Sequence, residues 1–459
     1  MVTLSKLFNT GLIFAPQSVF EDVATPQQAS IEQYNIIRYL GGSAPYIQRQ
    51  GHGISTDFPL GCLIESVQLI SRHGERYPSK GDGKFFDGVM KVFTDYGQEF
   101  KGDLAFLNDY EYFVSDKAYY EKETSPENSR GPYAGTTNML RHGAYFRSRY
   151  ASLFDDSGDN VTVFTSNSGR CYQSGEYFAR GFLGDEYAAD RVEFVVVDED
   201  KKMGGNSLTP RYACTTFNEG LHDDLVAQYD KSYLEDIRKR LTEDNPGLQL
   251  TASHVQGLFL WTAFEINVRG YSPFAGIFTL DEYIRNEYRN DVGNYYGTGP
   301  GNEAVKVIGT PMVEAFLKIL QDDTRKITLS FTHDTDIEMY LTALGLIVPS
   351  EDLPVDRVPF PNPYSAAELL PQGARTYTEK LKCGEKQYVR FIVNDAVYPF
   401  PGCSSGPGFT CELNEFVQKV KDRLNGVDFK EQCKVEGPGE LTFYWDYTTT
   451  KYDAPLIDT

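Results

Sequence analysis

No apolar run in this chain approaches the roughly 18 residues of a membrane-spanning helix. The nearest stretch, Val255–Val268, is shorter and carries Glu265. None of the seven cysteines forms a C-x-x-C pair, so zinc-ribbon and thioredoxin-like readings find no support. Histidine is scarce, six in 459 residues, with no H-E-x-x-H and no clustered Asp/His ligand set. Repeats and low-complexity tracts are missing too, which removes solenoid and disordered classes. Basic residues are in the minority: 44 Lys and Arg against 65 Asp and Glu give a formal charge of −21 at pH 7. A chain this acidic repels DNA, RNA and anionic lipid, so neither nucleic acid nor a membrane is an expected partner. An anionic substrate then needs a locally basic pocket, or a working pH low enough to remove the global field. The pI near 4.8 makes the second condition reachable without discharging any arginine.

What the chain has is ordinary globular material: 41% apolar, 24% charged, 31 Tyr and 30 Phe. Its length suggests two or three domains. The cysteines stand at 62, 171, 214, 383, 403, 411 and 433. Wide spacing in a large acidic chain suggests a few structural disulfides and an oxidising compartment, with seven buried free thiols as the alternative. Cys403 and Cys411 bracket a Gly/Pro-rich loop, and the odd count leaves one thiol over. Asn160-Val161-Thr162 is a glycosylation sequon, placing Asn160 as the acceptor. These features point to secretion, to the extracellular space or the cell wall. Lys6 and Leu7–Pro16 loosely resemble a signal peptide, but Asn9, Thr10 and Gly11 interrupt the apolar stretch. The first 35 or so residues are read instead as a mature arm and a candidate subunit contact in a homo-oligomer.

Periodicity predicts strands at Ile64–Ser71, Val161–Ser166, Val192–Val197, Ile327–Thr332 and Tyr388–Val397, the last paired in a hairpin. Helical spacing covers Asn138–Phe154, Gly175–Phe182, Asp223–Leu241, Ala252–Val268, Glu303–Leu320, Ile337–Leu344 and Asn414–Leu424. Interleaved strands and helices imply an α/β fold: a mixed, largely parallel sheet flanked by helices, with a second, mainly α-helical inserted domain. Residues 1–75, 150–205 and 305–459 are assigned to the α/β domain. Part of 76–149 and the strand-poor 206–304 are assigned to a helical cap. Residues 345–375, rich in proline, read as a long surface connection.

Open α/β sheets bind ligands beyond the carboxyl ends of their strands. The first strand ends in Ser71-Arg72-His73-Gly74-Glu75-Arg76-Tyr77-Pro78. Two forked guanidinium groups suit phosphate oxygens, and Gly74 permits a tight turn and close backbone approach. His73 among cations should be neutral at acid pH, as a nitrogen nucleophile requires. A second R-H-G, Arg141-His142-Gly143, lies inside a helical pattern, so His142 is read as structural. Beyond Val161–Ser166 stands Arg170, a third guanidinium. Beyond Ile327–Thr332 stand His333 and Asp334 at a helix start, a phosphate ligand and a proton donor.

Arg72-His73-Gly74-x-Arg76-x-Pro78 with His333-Asp334 resembles the histidine acid phosphatase family. Asn267–Phe274, Pro371–Lys380 and Val393–Val397 are similar to its yeast secreted acid phosphatase and phytase branch, and Leu40–Tyr46 to the segment that lines the substrate rim in fungal phytases. The resemblance implies an acid phosphomonoester hydrolase working through a phosphohistidine. In it His73 is the nucleophile and Asp334 the general acid, and Arg72, Arg76, Arg170 and His333 hold the phosphoryl oxygens. It implies no metal and no cofactor. It pairs Cys62 with Cys383, Cys214 with Cys433 and Cys403 with Cys411, leaving Cys171 over. Overall similarity favours a phytase acting on myo-inositol hexakisphosphate, with a broad-specificity secreted acid phosphatase as the alternative. Ser43, Lys80 and Lys84 are the candidate rim residues, although solvated lysines on a Gly-rich loop would look the same. A phosphoglycerate-mutase-like transferase shares R-H-G but usually lacks Arg-x-Pro and the His-Asp pair. An inactive secreted glycoprotein is disfavoured by the intact set of six groups.

Overall fold

The computed structural model describes residues 36–49, 51–155 and 160–457. The N-terminal arm and the signal-like stretch lie outside the described residues. One sheet organises the chain. Its strands are β1 (Cys62–Arg72), β2 (Val161–Ser166), β3 (Val192–Val197), β4 (Ile327–Thr332), β5 (Arg375–Cys383), β6 (Lys386–Val393), β7 (Ala396–Tyr398) and the short β8 (Cys411–Glu412). The order is β3-β2-β4-β1-β5-β6-β7, with β8 on β6. β3, β2, β4 and β1 are mutually parallel; β5 to β8 pair antiparallel. β2 and β4, inside the parallel part, are six-residue runs buried almost throughout because both faces are covered.

The long helices are α1 (Lys80–Tyr96), α2 (Gly135–Arg149), α3 (Gly169–Leu183), α4 (Ser232–Glu243), α5 (Ala252–Arg269), α6 (Leu280–Gly297), α7 (Glu303–Leu320), α8 (Asp334–Leu344) and α9 (Leu413–Leu424). α2 and α3 pack through glycine: a Cβ on Gly143 would lie 2.0 Å from the Phe178 carbonyl oxygen, and one on Gly181 1.9 Å from that of Leu140. α5 is apolar nearly all round and becomes the centre of the helical layer. Its Trp261 is fully buried, with its ring 4.9 Å from Phe86 of α1. No helix among the described residues is long and apolar enough to cross a membrane.

Several elements depart from the sequence reading. The segment around Lys80 and Lys84 is a helix rather than a loop, started by a Ser79–Asp82 capping box. α6 and β5 were not foreseen. Asp223–Leu241 divides into a short turn at Asp223–Val226 and α4. The 345–375 connection is not all surface, since Tyr364, Ala366, Ala367 and Leu369 are buried. His142 is buried on α2, with Nε2 2.8 Å from the Tyr377 hydroxyl. Disulfides join Cys62 to Cys383, Cys214 to Cys433 and Cys403 to Cys411, and Cys171 is free and buried.

Candidate active site

All four parallel strands deliver side chains to one end of the sheet. β1 and β4 are in register at Arg72 and Thr332, so the chain leaves both strands with a histidine at the same level. The His73 and His333 ring centroids are 5.7 Å apart, and the His73 N–H donates to the Thr332 carbonyl at 3.2 Å. α3 starts just beyond β2 and carries Arg170 in its first turn. Asp334 opens α8.

His73 is buried, with Nδ1 2.8 Å from the Gly74 carbonyl oxygen. A carbonyl only accepts, so Nδ1 carries the proton and Nε2 keeps its lone pair. Burial, then the charges of Arg170, Arg72, Arg76 and His333, push the His73 pKa well below the usual imidazole value. Both effects favour the neutral ring. Gly74 has a different reason from the expected turn: its φ is not positive. A Cβ there would lie 2.1 Å from Glu123 Oε1 and 2.9 Å from the Gly135 Cα. The loop passes so close to α2 that only glycine fits.

Arg72 Nη1 donates to the Gly42 and Leu370 carbonyls, and Nη2 lies 2.8 Å from Asp334 Oδ2. Arg76 donates from Nη1 to the Tyr77 carbonyl at 2.9 Å, and its guanidinium sits 5.3 Å over the Phe264 ring of α5. The buried Nε atoms of Arg72 and Arg76 have no acceptor among the described residues. Donors of this kind are ready for an anionic oxygen. The Asp334 carboxyl is held down at about 2: burial acts against this, but Arg72, His333 and the Thr335 N–H outweigh it. The His333 imidazole goes the other way. Burial would discharge it, yet the Cys171 sulfur at 3.9 Å and Glu199 at 2.7 Å raise it to about 10.

Arg72, His73, Arg76, Arg170, His333 and Asp334 thus form one cluster. Lys80 and Lys84 do not join it. Both are exposed on α1, on the face opposite Asp82 and Phe85, which are the α1 residues that reach the cleft. Ser43 does line the cleft, its carbonyl accepting from Asn267 Nδ2 at 3.1 Å. Asn160 is exposed just before β2, at the far end of the sheet.

Four residues escaped sequence reasoning. Glu199 stands two residues beyond β3, a strand end that the rule about carboxyl ends already pointed to. Gln372 accepts the Arg76 N–H at 2.6 Å. Glu75 and Glu123 are buried beneath the loop, where Glu123 Oε1 accepts from Ser174, which in turn accepts the Gly74 N–H. Nothing local marks Gln372 or Glu123, because their partners lie far away in the chain.

The cleft over Asp334 has a volume of about 610 Å³. α5 and α6 line it with Ser253, Gln256, Asn286, Asn290 and Asn294, and Arg289 is the one cationic lining residue among the described residues. Arg289 donates from Nη2 to Asn290 Oδ1 at 2.7 Å.

A family described as the histidine phosphatase superfamily (branch 2) matches residues 63–394. The chain is 54% identical to a phytase of Candida albicans, over 99% of this chain and all of that one. It is 41% identical to a probable acid phosphatase of Saccharomyces cerevisiae, over 93% and 92% of the two chains. The crystal structure of the phytase from D. castellii superposes with a TM-score of 0.91 at 52% identity, covering 99% of this chain and 100% of that chain.

Proposed function

This chain belongs to the histidine phosphatase superfamily (branch 2), and we propose that it is a secreted phytase whose chemistry is carried by His73 and Asp334. It is a phosphomonoester hydrolase, as its named relatives are. The convergence of six groups from three strand ends is the observation that carries the assignment of roles. His73 Nε2 attacks phosphorus while the bond to the leaving oxygen breaks, and Asp334 gives that oxygen a proton. Water then attacks the phosphohistidine, the Asp334 carboxylate takes its proton, and the P–N bond breaks to release phosphate. Arg72, Arg76, Arg170 and His333 bind the equatorial oxygens, where charge is stabilised in the transition state.

The ion pair between Arg72 and Asp334 bears on this cycle. An incoming phosphoryl group competes with Asp334 for Arg72, and as the pair opens, the carboxylate loses the charge that kept it ionised. The substrate delivers the proton, because a phosphate monoester is a monoanion below its second pKa of about 6.

The cleft supports a bulky polyanionic substrate over a small one. It has room beyond the reacting phosphoryl group, an amide-rich wall, and Arg289 to meet a second phosphate. Three disulfides among the described residues suit an oxidising, extracellular setting. The test is kcat/KM on phytate against p-nitrophenyl phosphate, with Arg289→Ala alongside. We expect the variant to raise KM for phytate about tenfold, the worth of one charge-assisted contact, and to leave p-nitrophenyl phosphate unchanged. A wild-type protein that cleaves p-nitrophenyl phosphate but not phytate at mildly acid pH is a broad acid phosphatase instead.

A further inference from the structure

His73 and His333 share one cationic field yet face different partners, and their pKa values are pushed in opposite directions. Both are buried, their rings 5.7 Å apart. His73 turns Nδ1 to a neutral carbonyl. His333 turns Nε2 to the Glu199 carboxylate at 2.7 Å. We propose that Glu199 is a positioning residue of the phosphoryl site: it keeps the His333 ring doubly protonated and oriented, with Nδ1–H left to donate to a phosphate oxygen.

The geometry around Glu199 is preset. Its N–H donates to Asn167 Oδ1 at 3.0 Å, and the Asn167 N–H donates to the Val197 carbonyl at 2.9 Å, so the exits of β2 and β3 are tied together. Asn167 Nδ2 is bound in turn to the Pro455 carbonyl at 2.9 Å. The Glu199 side chain is only 10% exposed, so water screens the contact little.

Among the other groups facing His333, only the Cys171 sulfur also favours its charge, and it lies farther off than the Glu199 carboxylate. From α3 comes the Cys171 sulfur, 3.9 Å from both ring nitrogens, while its nearer neighbour is the Thr332 carbonyl at 3.4 Å. From α8 come Asp334, engaged by Arg72, and Asp336, engaged by Arg211 at 3.0 Å. His73 is neutral. The nearby cations Arg72 and Arg170 oppose a charge on the ring. With Glu199 neutralised, His333 would keep only the more distant Cys171 sulfur, at 3.9 Å, to favour its charge against burial and the nearby cations. A cation bound to phosphate at every working pH would then become a titrating group. Neighbouring groups whose surroundings drive their pKa values apart often mark a division of roles.

This inference rests on the phosphatase reading above, and Glu199→Gln tests it. The amide keeps shape and an acceptor but removes the charge. We expect kcat/KM on p-nitrophenyl phosphate, as a ratio to wild type, to be within about threefold at pH 4 and to fall about tenfold further by pH 7, as an uncharged His333 binds phosphate more weakly. The substrate's own ionisation cancels in the ratio. A ratio that does not change with pH overturns the proposal, even where it is uniformly low. A wild-type protein without hydrolysis at any pH overturns the phosphatase reading instead. A second measurement needs neither turnover nor the variant's stability. In ¹⁵N-histidine-labelled wild-type protein, the His333 ring, assigned by its loss in His333→Asn, should remain doubly protonated at pH 8. A neutral His333 ring there also overturns the proposal.

Discussion

Replacing Asp334 by Asn should lower kcat and KM together, by amounts that depend on the leaving group. The kcat effect follows from lost proton donation. A positioned general acid contributes about 10²- to 10⁴-fold, and an alkoxide leaving group needs all of it. Nitrophenolate is a far better leaving group, so p-nitrophenyl phosphate should lose about tenfold or less by the same principle. The KM effect follows from the pair between Arg72 Nη2 and Asp334 Oδ2 at 2.8 Å. Substrate must open it, and the Asp334 side chain is 36% exposed, so the pair has the strength of a screened one, about 1 kcal/mol. Its removal should lower KM about fivefold, taking about 1.4 kcal/mol per factor of ten. Such a pattern, lower kcat with lower KM, marks the loss of an interaction that opposes the bound state. Steady-state kinetics at pH 5 on glycerol 2-phosphate and p-nitrophenyl phosphate read both effects. Equal kcat losses on the two substrates would refute Asp334 as the proton donor. A raised KM would refute the competition for Arg72.

Three further expectations follow from the same side chains. The basic limb of kcat/KM should track the second ionisation of each substrate, because Asp334 is already ionised in the free enzyme above about 2; a limb at one fixed pH for substrates of different pKa would assign it to a protein group. Thermal stability should be greatest near pH 4.5 and fall towards pH 8. Burial raises Glu75, Glu265 and Glu287 to about 7, Asp336 to about 6 and Glu338 to about 8, and lifts Glu123 and Asp291 as well. The folded protein thus keeps protons that the unfolded chain releases above its carboxyl pKa of about 4. His73, His142 and His254, all lowered, act in the opposite direction below about pH 6.5, but seven carboxyls outweigh three imidazoles. Melting temperatures across pH 4.5–8 check the sign, and a flat or rising series contradicts it. Gly74→Ala should abolish activity and lower the melting temperature by about 1–3 °C, since its Cβ overlaps Glu123 and crowds α2 at an overpacking cost of about 1–3 kcal/mol; wild-type hydrolysis in that variant would refute the close-packing account.

Legibility varied with where the partners of each residue lie. β2, β3 and β4 were readable because each is a short run dominated by β-branched and aromatic residues, a property of consecutive residues. β5 was hidden by charge. Arg375, Glu379 and Lys380 are buried, and a charged run reads as a solvated face. Only the fold supplies Arg149 and Arg390 to Glu379 and Asp323 to Lys380. α1 was hidden by glycine, yet Gly83 is required there because a Cβ would lie 2.3 Å from the Tyr120 ring. α6 was hidden by its buried Asn286, Glu287 and Asp291, which break the apolar period. Glu287 accepts the Gly41 N–H, and Asp291 the Ala366 N–H, so these polar groups hold the cleft rim. Lys80 and Lys84 read as loop residues because the glycines around them hid α1, which holds both exposed.

The amino-acid order alone determined the reagents: forked cations, one imidazole and one His-Asp pair, each just past a strand. Side-chain chemistry and strand periodicity are local properties that no distant contact alters. The tertiary structure decided their states. It lowered the His73 pKa and raised that of His333, tied Asp334 to Arg72, and brought in Glu199, because protonation and pairing depend on burial and on charges contributed by segments far apart in the chain.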